Sequence, residues 1–242
     1  RERRDEIGDL ARDFDQMAER VQQLIESQRR LMRDVSHELR SPLTRLQTAS
    51  GLLRQATPGG EQANLDRIDK EVAHLDSLIG QILAYARLAH LESPVRAPVD
   101  LARLLDSIAD DARYEGRARG IDVTVDLPDR ASIDGELELL RSALENVVRN
   151  AVQHAERKVM VKATRTPAGL LIMVRDDGPG VAEGELGRLF EPFYTGSDSG
   201  SRSSGIGLAI TRRAVDLHGG SVRASNLDGA GLAVEIGLPT AN

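Results

Sequence analysis

A chain of 242 residues, 40 % apolar and 29 % charged, is long enough to bury one large core or two modest ones. Its formal net charge of −6 argues against nucleic-acid binding, which needs Lys and Arg to neutralise phosphates. With no Cys it has no thiolate chemistry, disulfide frame or Cys-based zinc site, and with 2 % aromatic residues its cores are expected to be built from Leu, Ile, Val and Ala. No run reaches the roughly 18 apolar residues of a membrane span, and no signal peptide is visible, so the chain as given is expected to be soluble and to face a reducing compartment.

From the N-terminus, Ile7, Leu10, Phe14, Met17, Val21, Leu24, Leu31 and Val35 recur at steps of three and four, with Gln28 filling one seam position. This heptad pattern predicts a coiled coil. Around His37 the stripe changes to steps of four through Leu31, Val35, Leu39 and Leu43, then resumes at Leu46, Ser50 and Leu53. Such a change of phase fits a coiled coil opening into a wider bundle. The segment Thr57-Pro58-Gly59-Gly60 breaks the helix, and Leu65, Ile68, Val72, Leu75, Ile79, Ile82, Ala86 and Ala89 restart the rhythm. Two helices joined by a short turn cannot cover both stripes, so dimerisation into a four-helix bundle is expected.

A boundary is expected near Pro94 to Pro98, after which helices and strands mix. Helices are predicted over about Leu101–Ala118, Glu136–Val152 and Leu208–Leu217. Strands are predicted at Val123, Val125 and Leu127, near Val159–Ala163 and Leu171–Val174, and near Val222 and Val234–Leu238. Without strict βαβ alternation this indicates an α/β sandwich. On the helix beginning near Glu136, Leu140, Leu144, Val147 and Ala151 share one side while Asn146, Asn150, Gln153 and His154 share the other. By itself the second side reads as a solvated face. However, Asp176-Asp177-Gly178-Pro179-Gly180 follows an apolar strand with glycines that admit a close ligand, and Gly205-Ile206-Gly207-Leu208 opens another helix where backbone N–H groups favour phosphate. The run Gly196 to Ser204 reads by composition as a flexible linker. His37 has Glu38 beside it and Ser41 one turn on; a lone His on a helix is usually structural or solvated, and only the distant glycine and amide segments give it chemical company.

In this order and spacing the chain resembles bacterial sensor histidine kinases over essentially its whole length. Ser36 to Leu43 is similar to their phosphoacceptor box, Glu145 to Ala151 to their asparagine box, Asp176 to Gly180 and Gly205 to Leu208 to their two glycine boxes, and Leu189 to Tyr194 to their phenylalanine box. Ser36 to Leu46 and Ala143 to Ala151 resemble, more finely, the envelope-stress sensor kinases of Gram-negative bacteria, and Arg4 to Leu10 resembles the second half of a HAMP linker.

The resemblance implies an α plus α/β protein: HAMP remnant and coiled coil over 1–27, an antiparallel hairpin dimerising into a four-helix bundle over 28–95, and a Bergerat-type α/β sandwich binding ATP over 96–242. It implies that His37 accepts the γ-phosphoryl group, that Glu38 holds the ring proton and that Ser41 serves dephosphorylation. Asn150 would ligate Mg2+ with help from Asn146, and Asp176 would accept from the adenine amino group. Gly178, Gly180, Gly205, Gly207 and Leu208 would line the nucleotide, and Phe190 and Phe193 would anchor the loop closing over it. The implied partners are a second copy of the chain and a response regulator that takes the phosphoryl group onto an Asp. Membrane association would come only through an N-terminal sensor outside this sequence, making the chain the cytoplasmic portion of an inner-membrane receptor. The rival reading, an ATPase whose cycle rearranges the dimer, is disfavoured by Asn146, which stands where the gyrase and Hsp90 group carries a catalytic Glu. Four positions depart from the common pattern: Ser203 and Ser204 where many relatives have Gly and Thr, Gln153 where Lys is frequent, and Ser41 where Thr is commoner.

Overall fold

The computed structural model describes residues 35, 39, 42–53, 61–89, 91, 93–129, 131–196, 204–227 and 231–239. The seam from Ile7 to Leu31, the residues His37, Glu38 and Ser41, the Thr57 to Gly60 turn, and Arg202 and Ser203 lie outside the described residues. The chain divides into two compact units, Arg1–Leu78 and Ile79–Asn242.

In the first unit, helix α1 (residues 42–53) buries Ala49, and α2 starts at Glu61 and continues to Ala89 in the second unit. Arg45 Nε meets Glu71 Oε1 at 2.9 Å, an ion pair between the two helices with both side chains partly buried. The three-four rhythm of α2 splits into two edges. Ile68, Leu75 and Ile82 are partly buried beside fully buried Leu78 and Leu88, while Leu65, Val72, Ile79 and Leu83 remain 43 to 53 % exposed. An apolar stripe covered along one edge and open along the other is what a helix with a second neighbour still to meet requires.

The second unit holds β1 (Ala97–Asp100), α3 (Leu101–Arg117), β2 (Asp122–Asp126), β3 (Ser132–Gly135), α4 (Leu137–His154), β4 (Lys158–Thr166), β5 (Gly169–Asp176), a 3-10 turn (Glu183–Arg188), α5 (Gly207–Leu217), β6 (Ser221–Asn226) and β7 (Leu232–Pro239). Five strands form a mixed sheet in the order β2-β4-β5-β7-β6, parallel only between β2 and β4. The core joins Leu105 and Ile108 of α3, Leu144 and Val148 of α4 and Val215 of α5 to Val161, Ile172 and Ile236 of the strands. This is the two-layer sandwich the sequence predicts.

Local chemistry sets the elements. Asp100 caps α3 by accepting the Arg103 N–H at 3.2 Å, a bond that satisfies one of the four orphan donors of a helix start. In β4, Val159, Val161 and Ala163 turn inward and Lys158, Met160 and Lys162 outward. In β5 the inward set is Leu170, Ile172, Val174 and, in the same phase, Asp176. The period of two thus delivers a carboxylate to the helix-facing side of the sheet.

The structure adds to the expected elements in two respects. β1 and β3 pair antiparallel as a separate two-stranded ribbon; each has four residues, and Pro98 sits in one of them, so neither carries an alternating signal. β4 and β5 run longer than expected, and Leu127 lies one residue past β2.

Candidate functional site

The site is built around α4. Leu140, Leu144, Val147 and Ala151 are at most 3 % exposed, whereas Asn146, Asn150, Gln153 and His154 are half-buried. The helix therefore packs on one side and presents amides on the other, as its sequence spacing predicts. Glu145 lies off this amide face and pairs with Arg141, Oε1 to Nη1 at 3.8 Å.

Three contacts gather the remaining segments around α4. Gly207, the first residue of α5, faces Asn146 so closely that a Cβ there would lie 3.3 Å from Asn146 Oδ1. One turn on, the buried Thr211 hydroxyl donates to Ala143 O at 3.0 Å and to Gly207 O at 3.1 Å. At the far end of α4, Gly178 lies against the last carbonyl, where a Cβ would come within 2.3 Å of His154 O; only glycine allows this approach.

The phenylalanine segment joins through its backbone. The Phe193 N–H donates to Gly205 O at 3.0 Å, and Gly205 has φ +64, a left-handed conformation in which a Cβ would lie 2.7 Å from Phe193 C. Phe193 shares that conformation at φ +62, a backbone strain that nothing short of tight surroundings sustains in an aromatic residue. Phe190 is buried in the core, with the Arg212 guanidinium 5.8 Å from its ring centroid. Leu208 packs partly buried against the same core. Ser204 has one of the two unusual hydroxyls: its Oγ accepts the Ile206 N–H at 3.4 Å and donates to Gln81 Oε1.

Two neighbouring carboxylates divide the work at the end of β5. Asp176 is 6 % exposed, and its Oδ1 accepts from Gly178 N–H at 2.9 Å and Leu232 N–H at 3.3 Å. No described residue donates a hydrogen bond to its Oδ2. Burial raises its pKa above the ordinary carboxylate value, and the two backbone donors and nearby His154 offset that only in part. Asp177 points the other way. Its Oδ1 takes the N–H groups of Glu156, Arg157 and Lys158 at 3.0, 2.9 and 2.9 Å. Desolvation opposes its ionisation, yet these donors together hold its pKa below the usual value.

The structure brings the predicted amides, Asp176 and the glycines together, and it adds four supports that the sequence did not point to. Asp177 was read only as part of its run. Arg119 caps the end of α4 through Nη1 to Val152 O at 2.7 Å and Nη2 to Gln153 O at 3.0 Å. Asn226 steadies the turn after Gly180 by accepting Val181 N–H at 2.9 Å and donating to Val181 O at 2.6 Å. Thr211 carried a faint signal, since a hydroxyl inside a helix needs a carbonyl to bond; Arg119 and Asn226 carried none.

With this geometry established, comparison with known proteins identifies the class. Residues 27–91 match the His Kinase A (phospho-acceptor) domain, and residues 135–242 match the Histidine kinase-, DNA gyrase B-, and HSP90-like ATPase family. The chain belongs to the sensor histidine kinases. It is 37 % identical over 230 residues, 93 % of its length and 50 % of the relative's, to the sensor histidine kinase CpxA of Escherichia coli. It is 32 % identical to the ATP binding domain of PrrB from Mycobacterium tuberculosis, covering 61 % of this chain and 98 % of that one with a TM-score of 0.51. Full-length ShkA in complex with AMPPNP is 29 % identical with a TM-score of 0.65, over 85 % of this chain and 45 % of that one. The chain spans about half the length of the curated relatives it matches.

The paired carboxylates have opposite consequences for stability. Asp176 has a raised folded pKa, so its contribution is present below the unfolded carboxylate pKa and is lost as pH rises through the folded value. Asp176→Asn keeps an Oδ1 acceptor without the buried charge, and its ligand-free melting temperature at pH 7 is expected to equal or exceed that of the wild type. Asp177 has a lowered folded pKa, so its contribution is present above the unfolded pKa and is lost as pH falls through the folded value. Asp177→Ala removes the shared acceptor of three solvent-exposed backbone donors, and is expected to lower the melting temperature at pH 7 and to flatten the loss of stability that thermal melts of the wild type show on acidification.

Proposed function

We propose that this chain is the kinase core of a two-component receptor: it transfers the γ-phosphoryl group of ATP to His37, passes it to an Asp of a response regulator, and dephosphorylates that regulator. The observation that supports this reading is that Asn146, an amide, faces Gly207 at the start of α5. Asn146 cannot take a proton from water, and Glu145, the nearest carboxylate in sequence, lies off the amide face in a pair with Arg141. Such a site suits holding ATP for an acceptor elsewhere, and this supports a kinase over a hydrolase.

In this reading the free Oδ2 of Asp176 accepts from the adenine amino group, and the N-terminal turn of α5 at Gly205 and Gly207 faces the phosphates with backbone N–H groups. Asn150 fits a magnesium ion: an amide oxygen is a hard donor, and among the described residues no group of three or more His, Cys, Asp or Glu lies together to form an all-protein cage. Such a site would leave most ligands to phosphate and water, and the bound ion would neutralise charge on the phosphates. Asn146 flanks it one turn earlier. A neutral His37 attacks the γ-phosphorus with one ring nitrogen; the N–P bond forms as the bond to the β,γ-bridging oxygen breaks, ADP departs, and Glu38 takes the proton of the other nitrogen.

The partners follow from the same reading. The open edge of α2, Leu65, Val72, Ile79 and Leu83, fits a second copy of the chain across a four-helix bundle. We assign residues 1–27 to the linker, 28–95 to dimerisation and phosphotransfer, and 96–242 to nucleotide binding, in the cytoplasmic part of an inner-membrane receptor. Among the described residues no helix is long and apolar enough to cross a membrane.

Labelled ATP tests the central claim. His37→Gln is expected to abolish acid-labile label on the protein while leaving nucleotide affinity within about twofold of wild type, because His37 is far in sequence from the proposed nucleotide segments; label persisting on the variant would remove His37 from its role. Ser41 follows His37 by four residues in the sequence, a spacing that on a helix would put both on one face and let the hydroxyl direct water at a docked phospho-aspartate. Ser41→Ala is expected to retain most autophosphorylation and to lose about tenfold or more of the dephosphorylation rate measured on purified phospho-regulator, since water positioning alone needs the hydroxyl.

A further inference from the structure

Every helix leaves its first N–H groups and last carbonyls without partners. α4 starts at Glu136 with no side-chain cap. At the end of α5 the chain tightens: His218 and Gly220 N–H both donate to Val215 O, and Gly219 N–H donates to Asp216 O. None of these bonds uses Ala214 O. The ring of His218, 2 % exposed, serves both ends: Nδ1 lies 2.7 Å from Ala214 O, and Nε2 lies 3.0 Å from Glu136 N. A carbonyl only accepts and a backbone N–H only donates, so the partners assign a neutral ring with its proton on Nδ1. The ring dipole then lies between the negative end of α5 and the positive end of α4. Gly135 clears the space, since a Cβ there would meet His218 Cδ2 at 2.9 Å.

The contact belongs to a series. Gly207 faces Asn146, Thr211 bonds to Ala143, and His218 bonds to Glu136, so α5 runs antiparallel along α4 and is fixed at three places. Beside the packing of Ile210 and Ala214, the bond at Thr211 is a point tie that leaves α5 some freedom of tilt. A second bond about 10 Å further along, seven residues at the helical rise, removes that freedom. What pivoting would move is the other end of α5, the glycine turn beside the amide of Asn146.

We propose that His218 is a positioning residue for the nucleotide: as the Nδ1–H tautomer it locks the register of α5 against α4 and so fixes the Gly205–Gly207 turn relative to Asn146 and Asn150. The inference rests on the reading of those residues as the nucleotide site. It assigns a function to a buried side chain that touches neither ATP nor acceptor.

The test uses the full chain and the ATP analogue AMPPNP with Mg2+, at a temperature where thermal melts show each variant folded. His218→Ala is expected to weaken binding about tenfold, the equivalent of one lost buried hydrogen bond. His218→Gln, whose Oε1 can accept the Glu136 N–H, is expected to stay within about threefold of wild type. Nitrogen-15 NMR of the wild-type ring at pH 7 is expected to show Nδ1 protonated and Nε2 bare. A merely structural histidine would lower the melting temperature of the Ala variant with no change in affinity, and that result overturns the proposal. So does a ring protonated at Nε2, which also decides the matter should the Ala variant fail to fold. A wild-type chain that binds no analogue overturns the nucleotide reading itself, an outcome distinct from both.

Discussion

The antiparallel packing of α5 on α4 is the constraint on which the site depends. α4 must keep Leu144 and Val148 in the core while turning Asn146 and Asn150 away from it, and a helix on a sheet can satisfy the first demand with some freedom of rotation and slide. The Thr211 hydroxyl, wholly buried, removes that freedom by bonding to Ala143 O in the middle of the amide-bearing helix. The hydroxyl also reaches Gly207 O in its own helix, so the tie to Ala143 O favours one register by about one hydrogen bond and not by the cost of an orphaned group. That register puts the start of α5 against Asn146. The placement of the proposed nucleotide residues thus follows from core packing.

The same economy appears at Asp176 and Asp177. Asp176 is the last residue of β5 and Asp177 the first beyond it, turned to the backbone of residues 156–158, so two adjacent carboxylates enter unlike surroundings. The inward one meets burial and incomplete compensation, and its charge is held at a cost to the empty fold. The outward one meets three converging N–H groups and gains from being charged. A stabilising knot therefore sits next to a destabilising acceptor, and it fixes the backbone from which that acceptor projects. Sites often carry such local cost because the ligand, rather than the fold, is what the group is shaped for.

What was legible in the sequence was what periodicity encodes. The two faces of α4, the inward strands and the helix at Gly207 follow from spacings of 3.6 and 2, and the glycine turns follow from positions where a Cβ has no room. The β1–β3 ribbon escaped because four-residue strands have no period to read. The supports escaped for another reason: Arg119 reaches α4 across 33 positions, Asn226 reaches Val181 across 45, and His218 reaches Glu136 across 82. Bonds from side chain to backbone at such separations leave no local pattern, since any backbone group can be the partner. The candidate residues around His37 lie outside the described residues, so for them the sequence argument stands by itself.

Under the proposed function, the departures at Ser203, Ser204 and Gln153 bear on how firmly phosphates would be held. Ser204 keeps a hydroxyl at the entrance to α5, where it accepts the Ile206 N–H, which is the job a Thr would perform there. Gln153 offers an amide where a Lys would offer charge, so less of the phosphate charge is met from α4. The burden shifts to dipoles: the N-terminus of α5, whose N–H groups carry partial positive charge without a basic side chain in the first turn. A site that holds phosphate by oriented backbone depends on geometry more steeply than one that holds it by a flexible ammonium, since dipoles act only over short distances. On that reading the register of α5, and every bond that keeps it, carries more weight in this chain than it would with Lys at 153.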